Sequence, residues 1–284
     1  MTMGSQKEKR SSQNPSSKLK SLAPKGIKTK RTKNQEKKKK KKDVTFRSNG
    51  DQNNENIEEL QPASAQLSFF ADQFQSAKGV QLSSLELETL KETSFLELPQ
   101  DLNENVKSLG KNIKAAFGQS WKEVLCEGQL VEGKIEAGSP AVLIISSSAL
   151  RSIELLRGFR SFTEECHAVK LFSKHMKVEE QISLLKNRVN IASGTPSRIK
   201  KLIDTEALGL SRLQVLLLDI HPDVKGYSLF TLPQVSDEFW DLFKTYFYQP
   251  MVQGDLRICL YGDYRPAVRL QGKRALHNHD KSKI

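Results

Sequence analysis

Apolar positions along the chain fall into two regimes. Between Leu67 and Leu125 they recur every three or four residues, whereas beyond Ser139 they gather in short unbroken runs. In the first regime Leu67, Phe70, Ala71 and Phe74 form one face of an amphipathic helix. Ser83 followed by Glu86, ahead of Leu85, Leu87 and Leu90, has the spacing of a capping box and predicts a second helix. Leu102–Phe117 continues the pattern, and Trp121 with Val124 and Leu125 completes a helical lead-in. Stripes of this kind are read as core packing.

The second regime has β-branched and Leu-rich runs without polar alternation, as expected of parallel strands buried on both faces. The predicted strands are Val142–Ser146, Ala168–Phe172, Val189–Ala192, Gln214–Leu218 and Leu256–Leu260. Helical segments are predicted between them at Leu150–Phe162, Val178–Asn187, Pro196–Thr205 and Val235–Tyr248. The alternation predicts an α/β fold: a doubly wound, mostly parallel sheet of about five or more strands, with right-handed crossovers and helices on both faces. Ligands of such sheets bind outside the carboxyl ends of the strands. That singles out Ser146 to Ser148, Ser173 to His175, Ser193 to Arg198, Asp219 to Asp223 and Tyr261 to Tyr264.

Charge divides the chain further. The first fifty residues hold 17 Lys/Arg against 3 Asp/Glu, residues 51 to 264 hold 22 against 29, and residues 265 to 284 hold 6 against 1, within a total of +12. The expected organisation is a disordered basic tail over 1–64, a helical lead-in over 65–138, the α/β lobe over 139–264 and a second basic arm over 265–284. Lys28 to Lys33 and the six lysines Lys37, Lys38, Lys39, Lys40, Lys41 and Lys42 have the charge density of a nuclear or nucleolar address or of a sequence-blind contact to phosphates. A solubilising tail is the plainer alternative. No apolar run is long enough to span a membrane, and the N-terminus has no apolar stretch for a signal peptide, so a non-secreted, membrane-free protein is expected. Three scattered cysteines, Cys126, Cys166 and Cys259, argue against a disulfide framework.

Candidate chemistry is sparse. Ser146 to Ser148 have no nucleophile elbow, Cys166 beside His167 and His277 with His279 fall short of a zinc set, and Asp219 with Asp223 has no phosphate cradle beside it. Asp219 is expected to hydrogen-bond the turn after its strand. No catalytic residue, cofactor, metal or small-molecule substrate is expected.

The strand ends, taken in order, resemble the first lobe of a DEAD-box RNA helicase, which is RecA-like. Ser193-Gly-Thr-Pro-Ser-Arg198 is similar to that family's Thr-Pro-Gly-Arg motif, with Thr195, Pro196 and Arg198 matching and Ser197 in place of glycine. Ser148 stands where the threonine of the Pro-Thr-Arg-Glu-Leu-Ala motif would be, and Val215 to Asp219 resembles the Walker B strand, with Asp-Ile-His-Pro in place of Asp-Glu-Ala-Asp. No Gly-x-x-x-x-Gly-Lys-[Ser/Thr] occurs, and the nearest string is Leu109-Gly-Lys-Asn112 in a helical stretch. With the basic tail, the lead-in and the string Val169-Lys-Leu-Phe-Ser-Lys-His-Met-Lys-Val178 followed by Gln181, the chain resembles the Cms ribosomal small-subunit protein family over residues 65 to 263.

The resemblance implies nuclear and nucleolar residence and a non-enzymatic part in small-subunit ribosome biogenesis, with pre-ribosomal RNA and small-subunit pre-ribosome proteins as partners. It further implies phosphate contacts at Ser148, Lys174, Thr195, Pro196 and Arg198. A lobe that binds only protein remains the alternative, favoured by the net −7 of residues 51 to 264. A residual ATP-dependent helicase is a third reading.

Overall fold

The computed structural model describes residues 62–77, 83–98, 106–130 and 133–264. The basic tail with Lys37 to Lys42, and the C-terminal arm, lie outside the described residues. Five strands, β1 (Val142–Ile145), β2 (Val169–Leu171), β3 (Ile191–Gly194), β4 (Val215–Asp219) and β5 (Arg257–Tyr261), pair in the order β2-β3-β1-β4-β5. Every pairing is parallel. The expected doubly wound sheet is therefore the fold.

Strand pleating sends alternate residues to opposite faces. Leu143, Ile145, Leu216, Leu218, Ile258 and Leu260 belong to one buried cluster, while Val142, Ile144, Val215, Leu217, Cys259 and Tyr261 belong to the other. The first face is covered by α1 (Ala63–Ser76), α6 (Val178–Leu185), α7 (Pro196–Asp204) and α8 (Pro233–Leu242). The second is covered by α3 (Val106–Ala115), α4 (Trp121–Leu125), α5 (Ala149–Leu156) and the 3-10 turn Arg157–Phe162 that continues α5. Both faces being dry, the inner strands β1 and β4 carry no polar alternation, whereas the edge strand β2 exposes Lys170 between Val169 and Leu171.

The lead-in adds more than helices. Ser83 caps α2 (Ser84–Thr89) in the expected capping box, its hydroxyl accepting from the Glu86 amide at 3.2 Å while the Glu86 carboxylate accepts from the Ser83 amide at 2.8 Å. Beyond α2, Phe95 makes a parallel bridge to Ile258, and the Leu96 amide donates to the Ile258 carbonyl at 2.8 Å, so the β5 edge is partly covered. At the opposite edge the Gln181 amide Nε2 donates to the carbonyls of Lys170 (2.8 Å) and Phe172 (3.0 Å), satisfying acceptors that face away from β3.

Two predicted helices are interrupted, each for a local reason. Val235–Tyr248 is expected as one helix but resolves into α8, a π-turn at Phe243–Phe247 and α9 (Tyr248–Gln253). The restart places Pro250 in the first turn of α9, where the missing amide costs no intrahelical bond. Leu150–Phe162 tightens into 3-10 geometry at Arg157, where Gly158 lies against α3: a Cβ on Gly158 would sit 2.2 Å from the Val106 carbonyl oxygen. β3 begins two residues later than predicted, its ladder with β1 opening where the Val142 amide donates to the Asn190 carbonyl at 3.1 Å.

Gly194 closes β3 opposite Leu171, and a Cβ there would lie 2.0 Å from the Leu171 carbonyl oxygen, a backbone atom that no rotamer change can move. Gly194→Ala is expected to destabilise the protein by about 1–3 kcal/mol or more through forced separation of β2 from β3. The urea midpoint measures it, and an unchanged midpoint would mean that the edge strand yields freely.

Candidate functional site

The carboxyl ends of β1, β4 and β5 converge on a charged cluster. β1 runs into Ser146, whose hydroxyl donates to the Ser148 carbonyl (3.1 Å) and lies 2.8 Å from the Ser152 hydroxyl. This fixes the turn into α5, and Ser148 serves as its N-cap, accepting from the Arg151 amide at 3.3 Å. One turn into α5, Arg151 reaches across to Asp219 at the end of β4: Nε donates to Oδ2 at 2.7 Å and Nη2 to Oδ1 at 3.0 Å. The Asp219 side chain is 1% exposed. His221 Nδ1 lies 2.8 Å from Asp219 Oδ1 and 3.1 Å from Arg151 Nη2, and Arg151 Nη1 donates to Glu154 at 3.0 Å. Tyr261 at the end of β5 packs its ring 4.6 Å from His221 and 5.8 Å from the guanidinium.

Burial alone would lower the Arg151 pKa, but the Asp219 hydrogen bonds and charge, with Glu154 behind them, outweigh it and hold the guanidinium above its ordinary value. Burial pushes the Tyr261 phenol up. Asp219 thus meets His221 in the turn after its own strand, as expected, and in addition binds Arg151 at the start of α5, which the sequence did not announce. The fork geometry of an arginine suits a carboxylate held from one side. Nothing in the spacing of Arg151 and Asp219, 68 positions apart, announces the pair; the only hint is a buried strand-end carboxylate that needs a cation.

The resemblance to helicases implies a magnesium–nucleotide site, and the residues present do not fit one. Both oxygens of Asp219 are engaged by Arg151, and Ile220 follows it with its side chain buried. Leu109-Gly-Lys111 lies inside α3, with Leu109 and Gly110 buried and Gly110 pressed so close to Gly158 that a Cβ would meet its carbonyl oxygen at 2.4 Å. No backbone cradle opens there. The thiols are not primed either, since burial raises the pKa of Cys126, Cys166 and Cys259 alike.

The other predicted contact residues gather at the start of α7 and the loop after β2. Thr195 is the N-cap of α7 without a side-chain cap bond; its amide donates to the Leu171 carbonyl at 3.0 Å, and Pro196 is buried at the first helical position. Arg198 turns inward: Nη1 donates to Gln181 Oε1 at 2.6 Å and to the Met176 carbonyl at 3.2 Å. Gln181 is itself fully buried on the β2 edge, so Arg198 and Gln181 together tie α7, α6 and the 173–177 loop, on which Lys174 is exposed. Ser148 belongs to the Arg151 cluster instead. Lys200, one turn beyond Pro196, pairs with Asp204 (3.2 Å) and Asp241 (3.7 Å).

At the amino ends of the strands sequence reasoning missed a second buried set. Arg188, 5% exposed, donates to Asn190 Oδ1 (3.0 Å) and to the carbonyls of Gln129 (2.8 Å) and Glu123, fastening the segment after α4 to the sheet. Arg212 joins at the Ser139 carbonyl (3.1 Å), and burial, then the neighbouring Arg188, lower its pKa.

Comparison with known proteins gives a consistent set. A family model, CMS1, described as "U3-containing 90S pre-ribosomal complex subunit", matches residues 2–261. Protein CMSS1 of Xenopus laevis is 32% identical over 183 residues, covering 63% of this chain and 62% of that protein. Protein CMSS1 of Homo sapiens is 39% identical over 109 residues, covering 38% of this chain and 39% of that protein. Each match thus spans less than two thirds of the relative's own length. Among solved structures, a DEAD box protein from the hyperthermophile Methanococcus jannaschii is similar at 19% identity, with a TM-score of 0.32, over 66% of this chain and 50% of that one.

Proposed function

Because this chain belongs to the CMS1 family of U3-containing 90S pre-ribosomal complex subunits, a family of ribosome biogenesis factors, we propose that it acts without catalysis, as a docking platform for RNA and protein in the small-subunit pre-ribosome of the nucleolus. The observation that carries the non-enzymatic reading is the Arg151–Asp219 pair. A carboxylate whose two oxygens already accept from a guanidinium has its charge matched by a fixed cation, which repels a metal ion from the same place, and the buried Ile220 beside it can neither orient nor deprotonate water.

On this reading the exposed Lys174, the Thr195–Pro196 start of α7 and Ser148 face phosphate, with Lys37 to Lys42 adding sequence-blind attraction. Arg198 acts at one remove, setting the 173–177 loop and hence Lys174 through Met176 and Gln181. The net −7 of residues 51 to 264 supports a share for protein partners.

Thermal unfolding of the full chain tests the reading. Magnesium–ATP is expected to leave the midpoint where it is, while single-stranded RNA at low salt raises it by mass action. A saturable rise with magnesium–ATP would defeat the non-enzymatic reading. No rise with RNA would leave protein docking as the function of the lobe.

A further inference from the structure

We propose that the layer formed by α3, α4 and the 3-10 turn after α5 is a second binding site for the RNA sugar-phosphate backbone, on the face of the sheet opposite α7. α3 places Lys107, Lys111 and Lys114 at i, i+4 and i+7, on the side away from its buried Leu109, Gly110 and Ile113. The close crossing of Gly110 on Gly158 brings that helix against the 3-10 turn, where Arg157 and Arg160 are both exposed. At the end of the layer Trp121 packs edge-on against Phe162 at 5.8 Å and carries two ammonium groups, Lys114 Nζ at 3.8 Å and Lys122 Nζ at 5.7 Å from its ring centroid.

Cations outnumber acids on this layer. α3 and the turn Arg157–Phe162 contain no acid and α4 one, the exposed Glu123, within a body that is otherwise net negative. Among the described residues Lys111, Lys114, Lys122, Arg157 and Arg160 make no ion pair, whereas Arg151, Arg198 and Arg188 are committed to partners inside the fold and Lys200 to surface carboxylates. Glu164 and Glu165 bound the patch on the side of Cys126, where they and Lys114 and Lys122 act on the thiol with opposite sign. Two ammonium groups gathered at one indole, neither in an ion pair, are stabilised when a phosphate enters. α3 is roughly 15 Å long, the reach of a few consecutive phosphates.

The ligand is a flexible polyanion bound without base readout, and the family reading supplies its identity as RNA; the geometry of the patch does not depend on that reading. Because the α7 start lies on the other layer, the platform can hold two RNA segments at once, one on each face.

The test uses the full chain with every Lys and Arg of residues 1–50 and 265–284 replaced by Gln, which silences both basic arms, and a uridine oligonucleotide in a salt titration. Lys111→Glu, Lys114→Glu and Arg157→Glu together are expected to weaken binding at least tenfold at low salt and to lower the slope of log Kd against log salt by about two to three. The thermal midpoint should shift little, because Lys111 and Arg157 are exposed and the half-buried Lys114 gives up only its contact over the Trp121 ring, and Lys111→Arg with Lys114→Arg should restore affinity. Trp121 emission should respond to RNA in the parent and not in the triple variant, Trp240 being buried. Affinity and slope within twofold of the parent overturn the proposal. So does loss of all binding on changing only Lys174 and Thr195, an outcome that leaves the proposed function standing. A parent that binds polyglutamate but no RNA overturns the proposal and the RNA part of the proposed function, leaving protein docking.

Discussion

Arg151→Met should destabilise the protein by about 3–5 kcal/mol, because it strips the cation from a carboxylate that stays buried. Asp219 is 1% exposed, and in the native fold each of its oxygens accepts a guanidinium hydrogen bond. Methionine keeps the aliphatic stem against the α5 surface and removes only the charge and the fork, so the loss reads the electrostatics rather than a cavity. His221 meets one oxygen only and leaves Oδ2 bare. Arg151→Lys should recover part of the loss, since an ammonium serves as a point charge but cannot grip both oxygens in parallel. Arg151→Met combined with Asp219→Leu should come back close to the parent, the signature of a buried pair whose breaking is costly and whose replacement is not. Urea midpoints of the four proteins form the cycle. If Arg151→Met alone shifts stability by less than about 1 kcal/mol, the carboxylate is hydrated, and the claim that Arg151 closes the strand-end site fails with it.

That pair also marks where the sequence stopped being readable. Strand positions were legible to within two residues because Val142 to Ile145 or Val215 to Leu218 can only be runs buried on both faces, a property each run carries within itself. The Ser83 capping box was legible for the same reason, its two partners being three residues apart. Arg151 with Asp219, Arg188 with Gln129 and Arg198 with Gln181 were not, since each joins segments from 17 to 68 positions apart and depends on which elements the crossovers bring together. The resemblance to a helicase motif favoured Arg198 at the start of α7. The fold turns it toward Gln181 and Met176 and leaves Lys111 of α3 exposed. Net charge per segment singles out the basic tail as a feature of composition, but it could not tell a charge that is spent in the fold from one that is available.

Phe70→Ala should cost about 3–5 kcal/mol, as much as a central core aromatic of the lobe, although Phe70 belongs to the lead-in. The ring is fully buried and meets five others, with centroids at 5.1 Å to Phe243, 5.4 Å to Trp240, 5.7 Å to Phe95, 6.0 Å to Phe230 and 6.3 Å to Phe74. Phe74 in turn stacks on Trp240 at 5.1 Å, so α1 and α8 share one aromatic cluster rather than touching across a seam. Cluster members from residues 70 to 95 and from 230 to 243 then unfold together, and a truncation at Phe70 should lower the midpoint of the whole transition without dividing it. Far-ultraviolet dichroism reads the helices and Trp240 emission reads the cluster; the two should give one common midpoint in both parent and variant. Should Trp240 emission change at a lower denaturant concentration than the dichroism, α1 would be a separable strap on a lobe that folds without it. Coincidence of the two would make residues 62–98 part of the platform's core, so that the covered β5 edge at Phe95 and the α3 layer beyond it persist for as long as the sheet does.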